Sequence, residues 1–495
     1  MKKLIAAILL LALVLSVFAS CNGDSGEKDG ETTDAVTTDA VTTAPDTDVP
    51  GTKAPVTDTP EVEPESAEGL LFLPNADGTG CTVVGMTEDN TALEILIPPT
   101  LNGLPVKALG EKAFAGKLIT AITIPEGVTE IGPWCFTSCT DLATVTIPAS
   151  VTLIADGAFC CATDLDTVKF NEGVTTIGKW AFAGCEDLTA VVIPDSVTLL
   201  DFGAFSGCIA LADVTFGDGI TEIGGYAFAD CGKLTSALMP DGLTMLGNYT
   251  FKNCVSMTKV SLGKSLTEIG WSAFEGCTGF TSVTLPDTLV TIVDSAFSGC
   301  TSLAKIVIPE SVEKIGIGAF RNCTSLTSAK IKTVKAEIVW GTFENCTALK
   351  TVTLPEGLPK IAPSMFKGCT ALKSISIPGS VTIIESEAFN GCASLTSVTI
   401  PGSITAIEDH AFSGCTSLSS LVIPDEVTKI GDSAFEGCTA LTSVMIPASV
   451  TSVGETVFNG CTALTDVTCK ATEAGKGWNE DWLGDCTAAV TWNAD

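Results

Sequence analysis

The side chains with the most chemistry to offer are thiols. The chain of 495 residues holds 21 cysteines, and 13 of them stand 23 residues apart from Cys185 to Cys461, with Cys139 in the same register and Ala162 in the slot between. Such a row could be disulfides, a metal site or buried apolar side chains. A disulfide needs a torsion of roughly 90° about its S–S bond, which parallel side chains on successive copies of one slot meet poorly. A tetrahedral ion needs ligands converging from four directions, and a straight row of single thiols cannot surround one. Ala162 shows that the slot takes a small apolar residue, and a free cysteine behaves as one. Free thiols are therefore expected, with no metal and no cofactor. Cys81, Cys135, Cys160 and Cys161 lie off the row and are expected to be partly buried and unpaired. Cys469 and Cys486 flank the C-terminal segment and are the candidate disulfide, closing the final coil.

Little else suggests catalysis. His410 is the only histidine, and no nucleophile stands beside it in the repeat. The acidic residues recur periodically, so no unique pair is set apart for acid–base work. There is no phosphate-cradling loop, dinucleotide fingerprint or zinc spacing. The chain reads as a binding protein, not an enzyme.

Aromatic residues give the candidate binding site. Trp134, Trp180, Tyr226 and Tyr249 each stand two residues before a recurring Phe, in a slot held elsewhere by Gly203, Ser272, Ser295, Glu387 and His410. A slot that accepts Gly, Glu and His is expected to be exposed, so the rings should form a stripe along the N-terminal half. Trp271 and Trp340, one residue earlier in their copies, would extend it. Exposed aromatic patches mark protein or sugar sites. The alternative is that the rings lie flat over a corner and shield backbone. The slot after the recurring Pro collects acids (Glu126, Glu172, Asp195, Asp218, Asp241, Asp287, Glu310, Glu356, Asp425), which read as a solvated edge and not a cation site.

All these residues are positioned by one repeated element. Phe136 recurs every 23 residues as far as Phe458, and Phe114 precedes it by 22. A fixed period in the twenties means a solenoid, in which each unit buries its apolar face only against its neighbours. Within a unit, Leu142, Val145 and Ile147 alternate with Thr144 and Thr146, the pattern of a short strand with one buried face. Copies of this strand should pair side by side in a parallel sheet about 4.8 Å apart. Pro148 and its equivalents end the strand, because proline cannot donate to the ladder. Gly, Asn or Asp before each Cys marks a left-handed corner, and the A-F-x-G segment has room for one helical turn. The outward strand slots are mostly Thr and Ser, such as Thr123, Thr146 and Ser261, and show no row of charges that would name a ligand.

The unit C-T-x-L-T-x-V-x-I-P-x-x-V-x-x-I-G-x-x-A-F resembles the BspA-like, or treponemal-class, leucine-rich repeat over residues 98–470. The resemblance implies a right-handed leucine-rich-repeat solenoid of about 16 coils, with the parallel β-sheet on one face and short turns or single helical turns on the other. It further implies a bacterial surface protein, in some cases an adhesin for host proteins or other cells, and it carries no catalytic residue onto this chain.

The ends differ from the repeat. Residues 1–20 (MKKLIAAILLLALVLSVFAS) join two lysines, an apolar run and small residues, as a secretory signal peptide does. The following Cys21 resembles the acylated cysteine of the bacterial lipoprotein box; plain secretion or an uncleaved anchor helix are the other readings. Residues 21–68 hold that cysteine and a Thr/Pro-rich acidic stretch with no aromatic residue, too polar to bury a core and expected to act as a disordered stalk. Residues 69–97 are expected to cap the solenoid and 471–495, with Trp478, Trp482 and Trp492, to close it; those tryptophans are also a candidate sugar site. The net charge of −32 makes nucleic acid and bare anionic lipid poor partners. The expected protein is a monomer on the outer face of a bacterial membrane, held there by its lipid. It would bind protein as a possible adhesin, or alternatively carbohydrate.

Overall fold

A computed structural model describes residues 65–492. The signal segment, Cys21 and nearly all of the acidic stretch lie outside the described residues. From Ser66 onward the chain is one compact unit, a parallel β-solenoid of about 18 turns. The count exceeds the expected 16 because both terminal segments contribute strands to the stack.

At the start, β1 (Glu65–Ala67), β2 (Leu70–Pro74) and β3 (Cys81–Met86) lie side by side. β2 and β3 are antiparallel, and Leu70, Phe72, Cys81 and Val83 are buried beneath them. β4 (Glu94–Leu96) pairs in register with Ala121–Thr123, the strand of the first full coil. β5 (Thr100–Leu101) folds back on β6 (Leu104–Leu109), and β6 pairs with β3 and with Glu130–Ile131. The irregular first segment thus covers the core and feeds both ladders of the solenoid.

A coil has two strands where the sequence suggested one. The expected long strand is present, as in Thr144–Ile147, which buries Val145 and Ile147 and exposes both threonines. After Pro148 and a turn comes a second strand of only two residues, Leu153–Ile154. Copies of both pair in parallel without slipping: Thr167 faces Thr144 and Thr176 faces Leu153. The short-strand ladder breaks between Glu337–Ile338 and Lys360–Ile361. The break falls at Pro359, in the slot where Thr152 N–H donates to the Thr129 carbonyl at 2.9 Å; proline has no such donor.

The third side carries no helical turn. Its backbone takes positive φ twice per coil, at Trp134 (56°) and again at Ser138 (56°), and the same two slots repeat along the array. Two left-handed residues four apart cannot belong to a right-handed helix, so the segment is a run of turns. Its N–H groups donate forward, from Trp134 to the Asp156 carbonyl at 2.9 Å, Phe136 to Ala158 at 2.6 Å and Ser138 to Cys160 at 2.8 Å. Main-chain hydrogen bonds therefore tie neighbouring coils on every side, as buried backbone requires.

Inside, the phenylalanines form one column. Phe136 and Phe159 stack with centroids 4.9 Å apart, Phe297 and Phe320 at 5.2 Å, and Phe435 and Phe458 at 5.7 Å. All are fully buried. The ring spacing matches the roughly 4.8 Å between paired strands, which is why one residue type suits every copy.

Candidate functional site

Every one of the 20 cysteines among the described residues is a free thiol. The row forms a buried column in which each Sγ donates to the carbonyl of a Phe one coil back: Cys185 to Phe159 at 3.4 Å, Cys208 to Phe182 at 3.2 Å, and so on to Cys461 and Phe435 at 3.2 Å. The slot thus wants a small side chain with a weak donor, which accounts for Cys in preference to Ala. Burial pushes Cys139, Cys277 and Cys461 up to about 12, so these thiols stay protonated and unreactive. Cys81, Cys135, Cys160 and Cys161 are fully and not partly buried.

Cys469 and Cys486 do not pair. Cys469 replaces the strand-end isoleucine, opposite Ile446, and is buried. Cys486 continues the thiol column beyond Cys461, beside which it lines a small cavity with Leu464 and Asp485. The two occupy different columns of the coil.

The aromatic slot is not simply exposed. Its backbone is left-handed in every copy from Trp134 to Thr456, and Ser272, Ser364 and Ser433 in it are buried. Trp134 lies against Gly157 and Trp180 against Gly203, so closely that a Cβ on either glycine would enter the indole. Trp180 is only 8 % exposed. These two rings shield the corner backbone, as the alternative reading held. Further along, the rings come together. Phe202 and Tyr226 lie 5.1 Å apart, Tyr226 and Tyr249 4.5 Å, and Tyr249 and Trp271 5.2 Å. Trp271 is 47 % exposed, and Lys252 Nζ sits 5.0 Å from the Tyr249 centroid. Phe202 was missed in the sequence although it occupies the same slot as Trp271. Trp340 stands apart, three coils on, under the Arg321 guanidinium.

Several other candidates resolve as structure. His410 is half-buried, with Nδ1 3.8 Å from Glu436. Among the described residues no group of His, Cys, Asp or Glu could hold a metal ion, and no helix is long and apolar enough to cross a membrane. Within the acidic slot, Asp195 accepts from the Asp218 N–H at 2.9 Å, a bond from coil to coil. Of the C-terminal tryptophans, Trp478 and Trp482 are buried in the core and Trp492 is half-buried against it. Trp482 takes the Phe slot, 6.0 Å from Phe458, and Trp478 takes the short-strand position opposite Val453.

This repeating geometry coincides with a match to the family model of the BspA type leucine rich repeat region, in overlapping stretches 107–235, 175–301, 268–396 and 382–475. The chain belongs to that family. Among solved structures, a leucine-rich repeat protein from Bacteroides ovatus is 28% identical, with 86% of this chain and 99% of that one covered and a TM-score of 0.60. A leucine rich cell surface protein from Faecalibacterium prausnitzii is 26% identical over 86% and 98% of the two chains, with a TM-score of 0.37. No protein of curated function matches. Leucine-rich repeats of this kind are in general protein-interaction modules and not enzymes.

Proposed function

We propose that this BspA-type protein is an exported module, lipid-anchored through Cys21 and displayed at a bacterial cell surface, that binds protein partners through its solenoid and serves in adhesion. The observation that carries the reading is the contiguous ring run Phe202–Tyr226–Tyr249–Trp271 on the outside of four consecutive coils. Tyr and Trp presented on a rigid scaffold are the residues that dominate protein interfaces, because they bury large area at small entropic cost. Tyr226 and Tyr249 turn their faces toward each other, at 28°, so those faces are already occupied. That arrangement favours a protein surface over a sugar ring, which stacks on open faces. The carbohydrate reading keeps Trp271 and the half-buried Trp492 in its favour, since Trp478 and Trp482 are buried.

The test is capture of surface proteins from intact bacterial and host cells by the protein and by a Tyr226→Ser, Tyr249→Ser, Trp271→Ser variant. At least a tenfold loss of capture at an unchanged melting temperature is expected; equal capture by both would remove the stripe as the site. Separately, Cys21→Ser should abolish incorporation of labelled palmitate and release the protein from the membrane fraction. Retention with the label still incorporated would contradict the anchor.

A further inference from the structure

The long-strand face carries a feature that the Thr/Ser pattern concealed. Residues 305–373 hold ten Lys and Arg against five Glu, a balance of +5 in a chain of −32. Lys305, Lys330, Lys332, Lys350 and Lys373 fall on four consecutive coils, at or beside the outward positions of the long strands. All five are exposed. None joins an ion pair among the described residues, although Lys252, Lys264, Arg321, Lys360, Lys367, Lys429 and Lys470 all do. No Asp or Glu occupies an outward slot of the long strands between Asp213 and Asp466. The nearest acids, Asp287, Glu310 and Glu356, follow the strands at one margin.

This patch adjoins the one coil whose long strand is not formed. Ser282–Thr284 pairs with neither Lys259–Ser261 nor Lys305–Ile308. A physical cause is at hand: Phe280 fills the slot that holds Leu in most coils, wedged 5.7 Å from Phe274 and 6.3 Å from Phe297. The unmade ladder leaves the Ser282–Thr284 backbone without the cross-coil strand pairing that its neighbours have. Beside it is a cavity of about 440 Å³ whose apolar lining is Val283, Leu285, Pro286 and Ile306, and which Lys305, Lys332 and Asp287 also line, two cations against one acid.

We propose that this face binds an extended acidic polypeptide segment, whose carboxylates lie along the lysine row and one of whose apolar side chains enters the cavity. This deepens the interaction-module reading and rests on it. Unpaired strand backbone is the usual receptor for an extended peptide, with pockets for alternate side chains supplying specificity, and unpaired lysines supply complementary charge. A polypeptide is favoured over an acidic glycan because the apolar part of the cavity wall is aliphatic and no aromatic ring lines it to stack on a sugar.

The probe is a fluorescein-labelled twelve-residue peptide of alternating Asp and Leu. It is compared with Asp/Ser and Lys/Leu peptides and with heparin, on the whole protein. Asp/Leu should bind at least tenfold more tightly than either other peptide. It should weaken at least tenfold in a Lys305→Glu, Lys330→Glu, Lys332→Glu variant whose melting temperature is unchanged. Equal binding to that variant, or no binding to either, overturns the proposal. Tighter binding of heparin than of peptide, abolished by the variant, overturns it in favour of an anionic glycan. The peptide measurements decide this site alone, whereas no capture of cell-surface proteins by the native protein would sink the interaction-module reading itself.

Discussion

The Cys300 thiol donates to the Phe274 carbonyl at 3.2 Å, across the boundary between two coils. That carbonyl also accepts the Cys277 N–H within its own coil, at 3.2 Å. Each thiol therefore links the corner of one turn to the aromatic column of the turn before it, and its proton is part of the link.

Alkaline pH should unfold the protein steeply. Burial raises the folded-state values of Cys277, Cys369 and Cys438 above the ordinary 9.0, with Cys277 reaching about 12. The native state keeps the proton where the unfolded chain has lost it. This stabilisation is complete below about pH 9 and is lost as pH rises from there toward 12, by up to about 1.4 kcal/mol per pH unit for each thiol. Melting temperatures measured from pH 8 to 11 should fall more gently for a Cys277→Ala, Cys369→Ala, Cys438→Ala variant. Parallel curves would show that the thiols do not drive the transition.

Truncating one ring in the middle of the column should cost about 3–5 kcal/mol through the cavity it leaves. Phe297 is fully buried and stacked at 5.2 Å on both Phe274 and Phe320. Denaturant unfolding of Phe297→Ala should show a loss in that range, and a loss under 1 kcal/mol would mean that the stack is not a packed core.

Two glycines separate backbone strain from ring packing. Gly203 and Gly318 share the left-handed slot, with φ of 65° and 58°. An alanine at Gly318 meets no atom closer than Arg321 Cβ at 3.3 Å, and should cost about 1–2 kcal/mol, mainly for its conformation. At Gly203 the same methyl runs into Trp180, so Gly203→Ala should cost clearly more. Equal losses would show that the indole moves freely and is no part of the corner.

Much of this architecture can be read from the chain, for a physical reason. The Phe, Val and Cys columns each ask one requirement of every copy, so periodicity exposes them. The second ladder hid because a strand of two residues, such as Leu153–Ile154, has no alternation to detect. The left-handed slot at Trp134 hid because Trp, Tyr and Glu seldom signal positive φ, while Gly184 and Asn253 at the other corner do. The lysine face hid for the opposite reason. Lys305, Lys330 and Lys350 interrupt a Thr/Ser consensus, and averaging over copies removes the departures in which a binding site is written.

The C-terminal segment makes the same point and yields a sharp test. After Lys470 the spacing slips, yet Gly477–Trp478 pairs with Ser452–Val453 and Ala489–Trp492 pairs with Asp466–Cys469. Trp478, Trp482 and Cys486 stand where Ile, Phe and Cys would, so the segment is a last coil rebuilt from larger side chains. The Trp478 indole N–H donates to the Val450 carbonyl at 3.1 Å, and its ring meets Trp482 edge-on at 5.3 Å. Bulky rings suit a coil that covers the column beneath it, because they bury more apolar surface per residue. Ending the chain at Lys470 should expose Phe458 and Val467, lower the melting temperature and drive self-association. Trp482→Ala should produce the milder version of that loss, about 3–5 kcal/mol by the same cavity argument. Sedimentation and thermal melting of both variants decide it: a truncated chain that stays monomeric and melts with the parent would show that the last coil is a passenger on a solenoid already closed without it.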